Sequence, residues 1–299
     1  MPSLGTLVAA GRTSDVYEFG AGAVVKVPRP QVPDHWARLE AEYTAAVRTL
    51  DVPAPSVIDL VEIDGRHAVV FERISGRSMW EHMLDDTSRI GEFAGLLAET
   101  HRRIFAAGPP DALEGLIDRM QRKLADVRQI AAAERTEAAV LAESRPRGAA
   151  LLHGDLHPGN VLMTDDGPVA IDWFDASIGH PIGDIVRSSL LMRPFGDRGD
   201  PPHLPGADPS MLTKLHDAYV GAMSAQLDIA DRELTTWEAL VAASRLSEGA
   251  QTDEPALVGM WRSRHEPLSG PLFSATVSYT HLTLPTSSVM GGGGGGGGG

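Results

Sequence analysis

The sequence predicts an α+β fold of two lobes: a small N-terminal lobe with an antiparallel sheet over residues 1–75, and a larger helical C-terminal lobe over residues 76–275. Three observations predict it. Runs of β-branched and aromatic residues, broken by glycine turns, crowd the start of the chain. Long proline-free runs rich in Ala, Glu and Leu dominate the remainder. At 299 residues the chain is long enough to bury a large core and to divide into two bodies.

Taken in order, Val16–Phe19 and Ala23–Val27 flank Gly20-Ala21-Gly22 and read as a hairpin, which Pro28, Pro30 and Pro33 then stop. His35–Leu50 reads as a helix. Val57–Ile63 and His67–Ile74 are joined by Asp64-Gly65, a strong turn pair, and read as a second hairpin. Helices are expected over residues 88–107, 112–129 and 131–144, with Gly108-Pro109-Pro110 separating the first two. A short β segment interrupts them: Val161–Met163, the turn Asp165-Asp166-Gly167, and Val169–Asp172. Helix resumes after Gly183, and residues 209–226 and 231–248 complete the pattern.

Composition excludes several classes. The chain carries 26 basic and 40 acidic side chains, a net charge of −14, which argues against general nucleic-acid binding. No apolar run of about 18 residues is present, so no membrane span is expected. The start, Met1-Pro2-Ser3-Leu4-Gly5, lacks the basic and apolar stretches of a secretion signal. There are no cysteines, which removes disulfides and thiolate zinc sites, and a cytoplasmic protein is the simplest reading. The acidic balance is ordinary for solubility and leans weakly toward a cationic partner.

Residues 276–299 stand apart. Val277–Thr286 reads, codon by codon, as a translated transposase sequencing adapter, and Gly291–Gly299 as poly-G calls at the end of a read. The alternative is a flexible glycine linker. On the first reading this tail is disordered, carries no function, and replaces the natural C-terminus.

The segment richest in chemistry is His153-Gly154-Asp155-Leu156-His157-Pro158-Gly159-Asn160, followed by Val161-Leu162-Met163 and Ile171-Asp172-Trp173. Its glycines and proline prevent a helix, so Asp155, Asn160 and Asp172 are free to converge at loop ends. Phosphoryl transfer needs such groups: a carboxylate near the attacking hydroxyl, and hard oxygen donors for magnesium. The segment resembles the catalytic loop of the aminoglycoside phosphotransferase family, within the kinase-like superfamily, whose pattern is H-G-D-x-H-x-x-N followed by a strand and I-D-W or I-D-F. The resemblance extends from about Gly11 to Glu248 and implies a bilobal protein-kinase-like fold. It also implies that Asp155 is the catalytic base, that Asn160 and Asp172 are magnesium ligands, and that ATP is the cosubstrate.

Other residues follow from the same resemblance. Gly11–Tyr17 is similar to the nucleotide loop, which makes Ser14 a cofactor-binding candidate. Lys26 falls where a kinase lysine reaches the α- and β-phosphates. Glu40 is the expected helix partner of Lys26, counted back from Val52-Pro53-Ala54-Pro55, with Glu42 as the alternative. Phe71-Glu72-Arg73-Ile74 resembles the hinge between the lobes, so Phe71 and Arg73 join the nucleotide site. Gly179–Ile185 matches a further block, in which Asp184 braces the catalytic loop or caps a helix. Asp175 faces a cationic substrate or is plain loop charge, and Trp173 is core.

His153 and His157, four apart, could bind zinc on a helix, but the intervening glycine and proline count against a helix there. The expected activity is transfer of the ATP γ-phosphoryl group to a hydroxyl of a small molecule, possibly a cationic, aminoglycoside-like one. A metabolite such as choline or homoserine is the other acceptor class. The competing classes are a catalytically silent ATP-binding sensor and a protein kinase. The short stretch between Asp172 and Gly179 leaves little room for an activation loop. Oligomeric state is not legible.

Overall fold

The computed structural model describes residues 4–110, 112–195, 201, 203–224, 231–249 and 253–265. The expected adapter and poly-Gly tail, residues 276–299, lies outside the described residues.

The first lobe is a five-stranded antiparallel sheet. Its strands are β1 (Leu7–Ala10), β2 (Ser14–Glu18), β3 (Ala23–Pro28), β4 (Val57–Ile63) and β5 (Arg66–Glu72), ordered β1-β2-β3-β5-β4. Helix α1 (His35–Arg48) crosses from β3 to β4. Both expected hairpins form. In the β4–β5 turn Asp64 and Gly65 both take positive φ, 50° and 78°, the paired left-handed geometry that matches strand twist. Strand alternation divides the sheet's side chains between two faces. Ala37 of α1 packs with Val69 and Phe71, while Val25, Ala68 and Val70 form a separate cluster on the opposite face.

The second lobe begins with β6 (Arg77–Ser78) and α2 (Met79–Asp85), then α3 (Ile90–Ala106), α4 (Leu116–Asp126) and α5 (Ala132–Glu143). Next come β7 (Ala150–Leu152), β8 (Val161–Thr164), β9 (Gly167–Ala170) and β10 (Ser177–Gly179). Helices α6 (Pro181–Met192), α7 (Pro209–Ser224), α8 (Asp231–Arg245) and α9 (Glu254–Arg262) complete the lobe. β8 pairs with β9 and β6, and β7 with β10.

Two helical cores fill this lobe. One gathers Trp80, Phe93, Leu97, Trp173, Leu215 and Tyr219, and reaches α1 through Tyr43 and Val47. The other gathers Ile117, Leu124, Trp237, Leu240 and Trp261. Helix α6 serves both, giving Ile185 and Met192 to the first and Ile182, Val186 and Leu190 to the second. That position holds α6 rigidly under the loop that follows β7.

Several elements differ from expectation. β1, β6, β7, β10, α2 and α9 form without having been expected. The strands are at most four residues long and depend on their partners rather than on propensity. The expected helix over 88–107 starts at Ile90, after a 3₁₀ turn at Thr87–Arg89. The helix expected to begin at 112 begins after Gly115. Among the described residues no helix is long and apolar enough to cross a membrane.

Candidate active site

Strand alternation puts Lys26 on the β3 face that meets α1. Its Nζ donates to Glu40 Oε1 at 2.7 Å and to Asp172 Oδ1 at 2.9 Å. Glu40 lies on the buried stripe of α1, three residues from Ala37 and four from Thr44, whereas Glu42 is exposed. Burial alone would lower the Lys26 pKa, but Asp172 and Glu40 outweigh it and keep the ammonium charged. Burial pushes the Glu40 carboxyl upward, against the pull of Lys26.

The loop after β7 is shaped by its glycine. Gly154 sits at φ 79°, and a Cβ there would lie 2.2 Å from the Asp175 carbonyl oxygen. His153 ties the loop together. Its Nδ1 accepts the Asp155 N–H at 3.2 Å and its Nε2 donates to Ile171 O at 3.1 Å, so both ring nitrogens are in use. Burial favours the neutral imidazole. His157 Nδ1 accepts the Gly159 N–H at 3.1 Å and caps the 3₁₀ turn Pro158–Asn160. Neither histidine stands on an α-helix, and among the described residues no group of three or more His, Asp or Glu side chains is arranged to hold a metal ion.

Asn160 links the Asp155 loop to the backbone just before Asp172. Its Nδ2 donates to Asp155 O at 2.9 Å and to Asp155 Oδ2 at 3.3 Å, and its backbone oxygen accepts the Ile171 N–H at 2.9 Å. With the amide nitrogen turned to Asp155, the amide oxygen is the donor left for an ion. Asp172 follows Ile171 in left-handed backbone, φ 66°, a conformation that costs a non-glycine residue energy and is typical of functional sites. One carboxylate and one amide oxygen suit magnesium, which takes few protein ligands and completes its shell with water and phosphate oxygens.

Asp184 lies in the first turn of α6 and is buried. It accepts the His153 N–H at 2.7 Å, the Gly154 N–H at 2.9 Å and His101 Nε2 at 2.9 Å. Burial alone would raise its pKa, but His101 and these bonds hold it below the usual carboxylate range. The cap of α6 is His180, which accepts the Ile182 N–H. Asp184 therefore braces the loop and does not cap the helix. Trp173 is fully buried against His153. Asp175 is not isolated loop charge: its partly exposed carboxylate accepts from Arg119 at 3.0 Å.

Ser14 opens β2 and is buried, and its carbonyl accepts the Gly11 N–H at 2.8 Å. Phe71 lies in β5, paired on one side with Val24 and on the other with Val57. The Glu72 and Arg73 N–H groups are bound to Ser56 O and Gly22 O, both at 2.9 Å. Neither N–H is therefore left to donate to a base.

Three residues that the sequence reading gave no role of their own complete the site, Arg12 among them although it lies in the loop Gly11–Tyr17. Arg187 donates to Gly154 O at 3.1 Å, Asp155 Oδ1 at 3.2 Å and Glu248 Oε2 at 2.9 Å. Glu248 O in turn accepts from Arg12 Nη1 at 2.7 Å, joining the β1–β2 loop to the far lobe across the cleft. Arg187 stands three residues after Asp184, a helical spacing that places both under the same loop and was readable. No local signal marks Glu248, and none pairs it with Arg12.

The model of the phosphotransferase enzyme family (APH) matches residues 5–206. Two curated relatives from Salmonella are each 29% identical over 182 residues, covering 54% of this chain and 54% of their own. They are the stress response kinase A of Salmonella choleraesuis and the serine/threonine protein kinase RdoA of Salmonella typhimurium. The chain thus spans about half the length of the curated relatives it matches. Two solved structures share the fold at TM-score 0.51. Aminoglycoside phosphotransferase APH(3'')-Id of Streptomyces rimosus is 16% identical and covers 80% of this chain and 91% of its own. A choline kinase of Cryptosporidium parvum is 12% identical and covers 91% and 93%. The two-lobed architecture is therefore kinase-like.

Proposed function

The chain belongs to the phosphotransferase enzyme family, and from that premise we propose that it transfers the γ-phosphoryl group of ATP to a hydroxyl of a small molecule. The observation that carries the reading is the contact of Lys26 with both Glu40 and Asp172, at 2.7 and 2.9 Å. It joins an ammonium from one lobe to a carboxylate of the other at the cleft where a triphosphate would lie.

In this reading Lys26, aimed by Glu40, binds the α- and β-phosphates. Asp172 and Asn160 would hold magnesium, which when bound offsets phosphate charge. Asp155 orients the acceptor hydroxyl and takes its proton as the new O–P bond forms and the bond from the γ-phosphorus to the bridging oxygen breaks, releasing ADP. Most of the rate comes from positioning and preorganised charge rather than covalent participation.

The fold alone does not select the acceptor, since an aminoglycoside kinase and a choline kinase resemble it equally. A relative named as a protein kinase raises a protein acceptor. The compactness of residues 173–180 counts against one: they form a 3₁₀ turn and strand β10, which pairs with β7, before α6 begins. The test is ADP release from magnesium-ATP with a panel of hydroxyl compounds and a serine-containing protein. Release that depends on a small acceptor supports the reading. ATP binding without acceptor-dependent release favours the silent sensor, and release with protein alone favours the protein kinase.

A further inference from the structure

The charged side chains beside Asp155 form a closed network. α4 supplies Arg119 and Lys123, α6 supplies Arg187, and the turn after α8 supplies Glu248. Asp175 Oδ1 accepts from Arg119 at 3.0 Å and from Lys123 at 3.4 Å. Glu248 accepts from Lys123 at 2.9 Å and from Arg187 at 2.9 Å, and Arg187 reaches Asp155 at 3.2 Å. Arg245 Nε also lies 3.8 Å from Glu248 Oε2, so the three acids Asp155, Asp175 and Glu248 are met by four cations of the chain itself. The side chains of Arg119, Arg187 and Glu248 are only 7%, 11% and 14% exposed. The neighbouring Glu114 is held by Arg119 and Arg122, and Asp184 by His101 and two backbone N–H groups.

A polyamine is recognised by carboxylates that lack a cation of their own. Among the described residues this crevice offers none. To bind here, an ammonium would have to take Asp175 or Glu248 from a buried guanidinium and leave that guanidinium stranded, the costly way to break an ion pair. The net charge of −14 thus describes the chain as a whole and not this crevice.

We propose that the acceptor is a hydroxyl compound without positive charge, either neutral or anionic, and that Lys123 and Arg187 exclude polyamines by occupying the acids one would need. The proposal rests on the reading that Asp155 lies beside the acceptor.

Calorimetric titration of the full chain with kanamycin, a hydroxylated polyamine, tests it apart from turnover. Lys123→Met frees Glu248 Oε1, and this variant is expected to bind kanamycin about tenfold or more tightly than the wild type. Equal binding by the two chains overturns the proposal, as does wild-type binding that weakens in Asp175→Asn. An ADP-release panel adds a second readout. Faster release with kanamycin than with neutral sugars and hydroxy acids also overturns the proposal. ATP binding with no release for any acceptor instead overturns the phosphoryl-transfer reading, and the titration then decides this one.

Discussion

Arg187 Nη2 lies 3.2 Å from Asp155 Oδ1, and the Nε of the same guanidinium donates to the Gly154 carbonyl at 3.1 Å. One side chain thus fixes both the loop and the carboxylate it presents. Glu248 holds the guanidinium from the other side at 2.9 Å. Asp155 Oδ2, near Asn160, is the oxygen turned away from this clamp. On the proposed mechanism Arg187 is a positioning residue. Arg187→Met is expected to lower kcat by about 100-fold while leaving the KM for ATP within a few-fold, since a misplaced group costs rate and not nucleotide affinity. Arg187→Lys restores one ion pair but not the fork, and should fall between. Steady-state kinetics with ATP varied checks both; equal losses in kcat and ATP affinity would count against positioning.

Asp155 and Asp172 should separate by what they leave behind. Asp155→Asn preserves the shape of the loop and all nucleotide contacts in the proposed site. Its expected loss is about 100- to 10,000-fold in turnover, the range for a removed general base, with ATP binding retained. Asp172→Ala removes a partner of Lys26 and the carboxylate proposed for magnesium, so turnover should vanish and magnesium-dependent ATP affinity should fall with it. Equilibrium titration with ATP, with and without magnesium, distinguishes the two variants.

Glu248 gives an acid-stability prediction. Burial would raise its pKa, but Arg187, Lys123 and Arg245 dominate and depress it far below its ordinary 4.5. A depressed carboxyl contributes stability above its unfolded pKa and loses it as pH falls toward the folded value. Glu248→Gln should therefore cost about 2–4 kcal/mol at neutral pH, because it leaves Arg187 and Lys123 short of a carboxylate. The deficit relative to the wild type should shrink as pH drops below about 4.5. Urea midpoints at pH 7, 5 and 3.5 measure it; a deficit that stays constant over that range would refute the ionic origin.

Much of this arrangement was legible because particular residues obey local rules. Asp64-Gly65 specified its turn, and the count back from Val52-Pro53-Ala54-Pro55 chose Glu40 over Glu42 by resemblance, a choice with which the buried α1 stripe of Ala37, Glu40 and Thr44 agrees. Helix α2 also carried its signature, since Ser78 and Glu81 form a capping box, but seven residues are too few for periodicity to speak. The partners that hold Arg187 and Arg12 were not legible. Arg187 and Glu248 are 61 positions apart, and Arg12 and Glu248 are 236 apart. Long-range contacts of this kind, an ion pair in the first case and a bond to a backbone carbonyl in the second, are set by how the elements pack, which no window of sequence contains. Net charge could not describe this neighbourhood for the same reason, because the acids near Asp155 are paired with residues distant in the chain.

Two glycines make the last prediction, because they isolate backbone geometry from chemistry. Gly154 combines φ 79° with a neighbour, the Asp175 carbonyl oxygen, only 2.2 Å from where a Cβ would sit. Gly221, inside α7, has nothing within 4 Å of that position. Alanine at 221 removes freedom from the unfolded chain and favours helix, so it should stabilise by about 0.5–1 kcal/mol and leave turnover unchanged. Alanine at 154 faces both a disfavoured conformation and rigid backbone. The loop must shift, carrying Asp155 away from Arg187 and breaking the Gly154 N–H bond to Asp184, which is 2.9 Å. An expected loss of about 2–4 kcal/mol accompanies that shift. Residual turnover at temperatures where Gly154→Ala is still folded should be far below the wild type, and thermal melts paired with ADP release on the same samples test both halves. A Gly154→Ala variant as stable and as fast as the wild type would mean that the close approach of this loop to Asp175 is not what sets Asp155 in place.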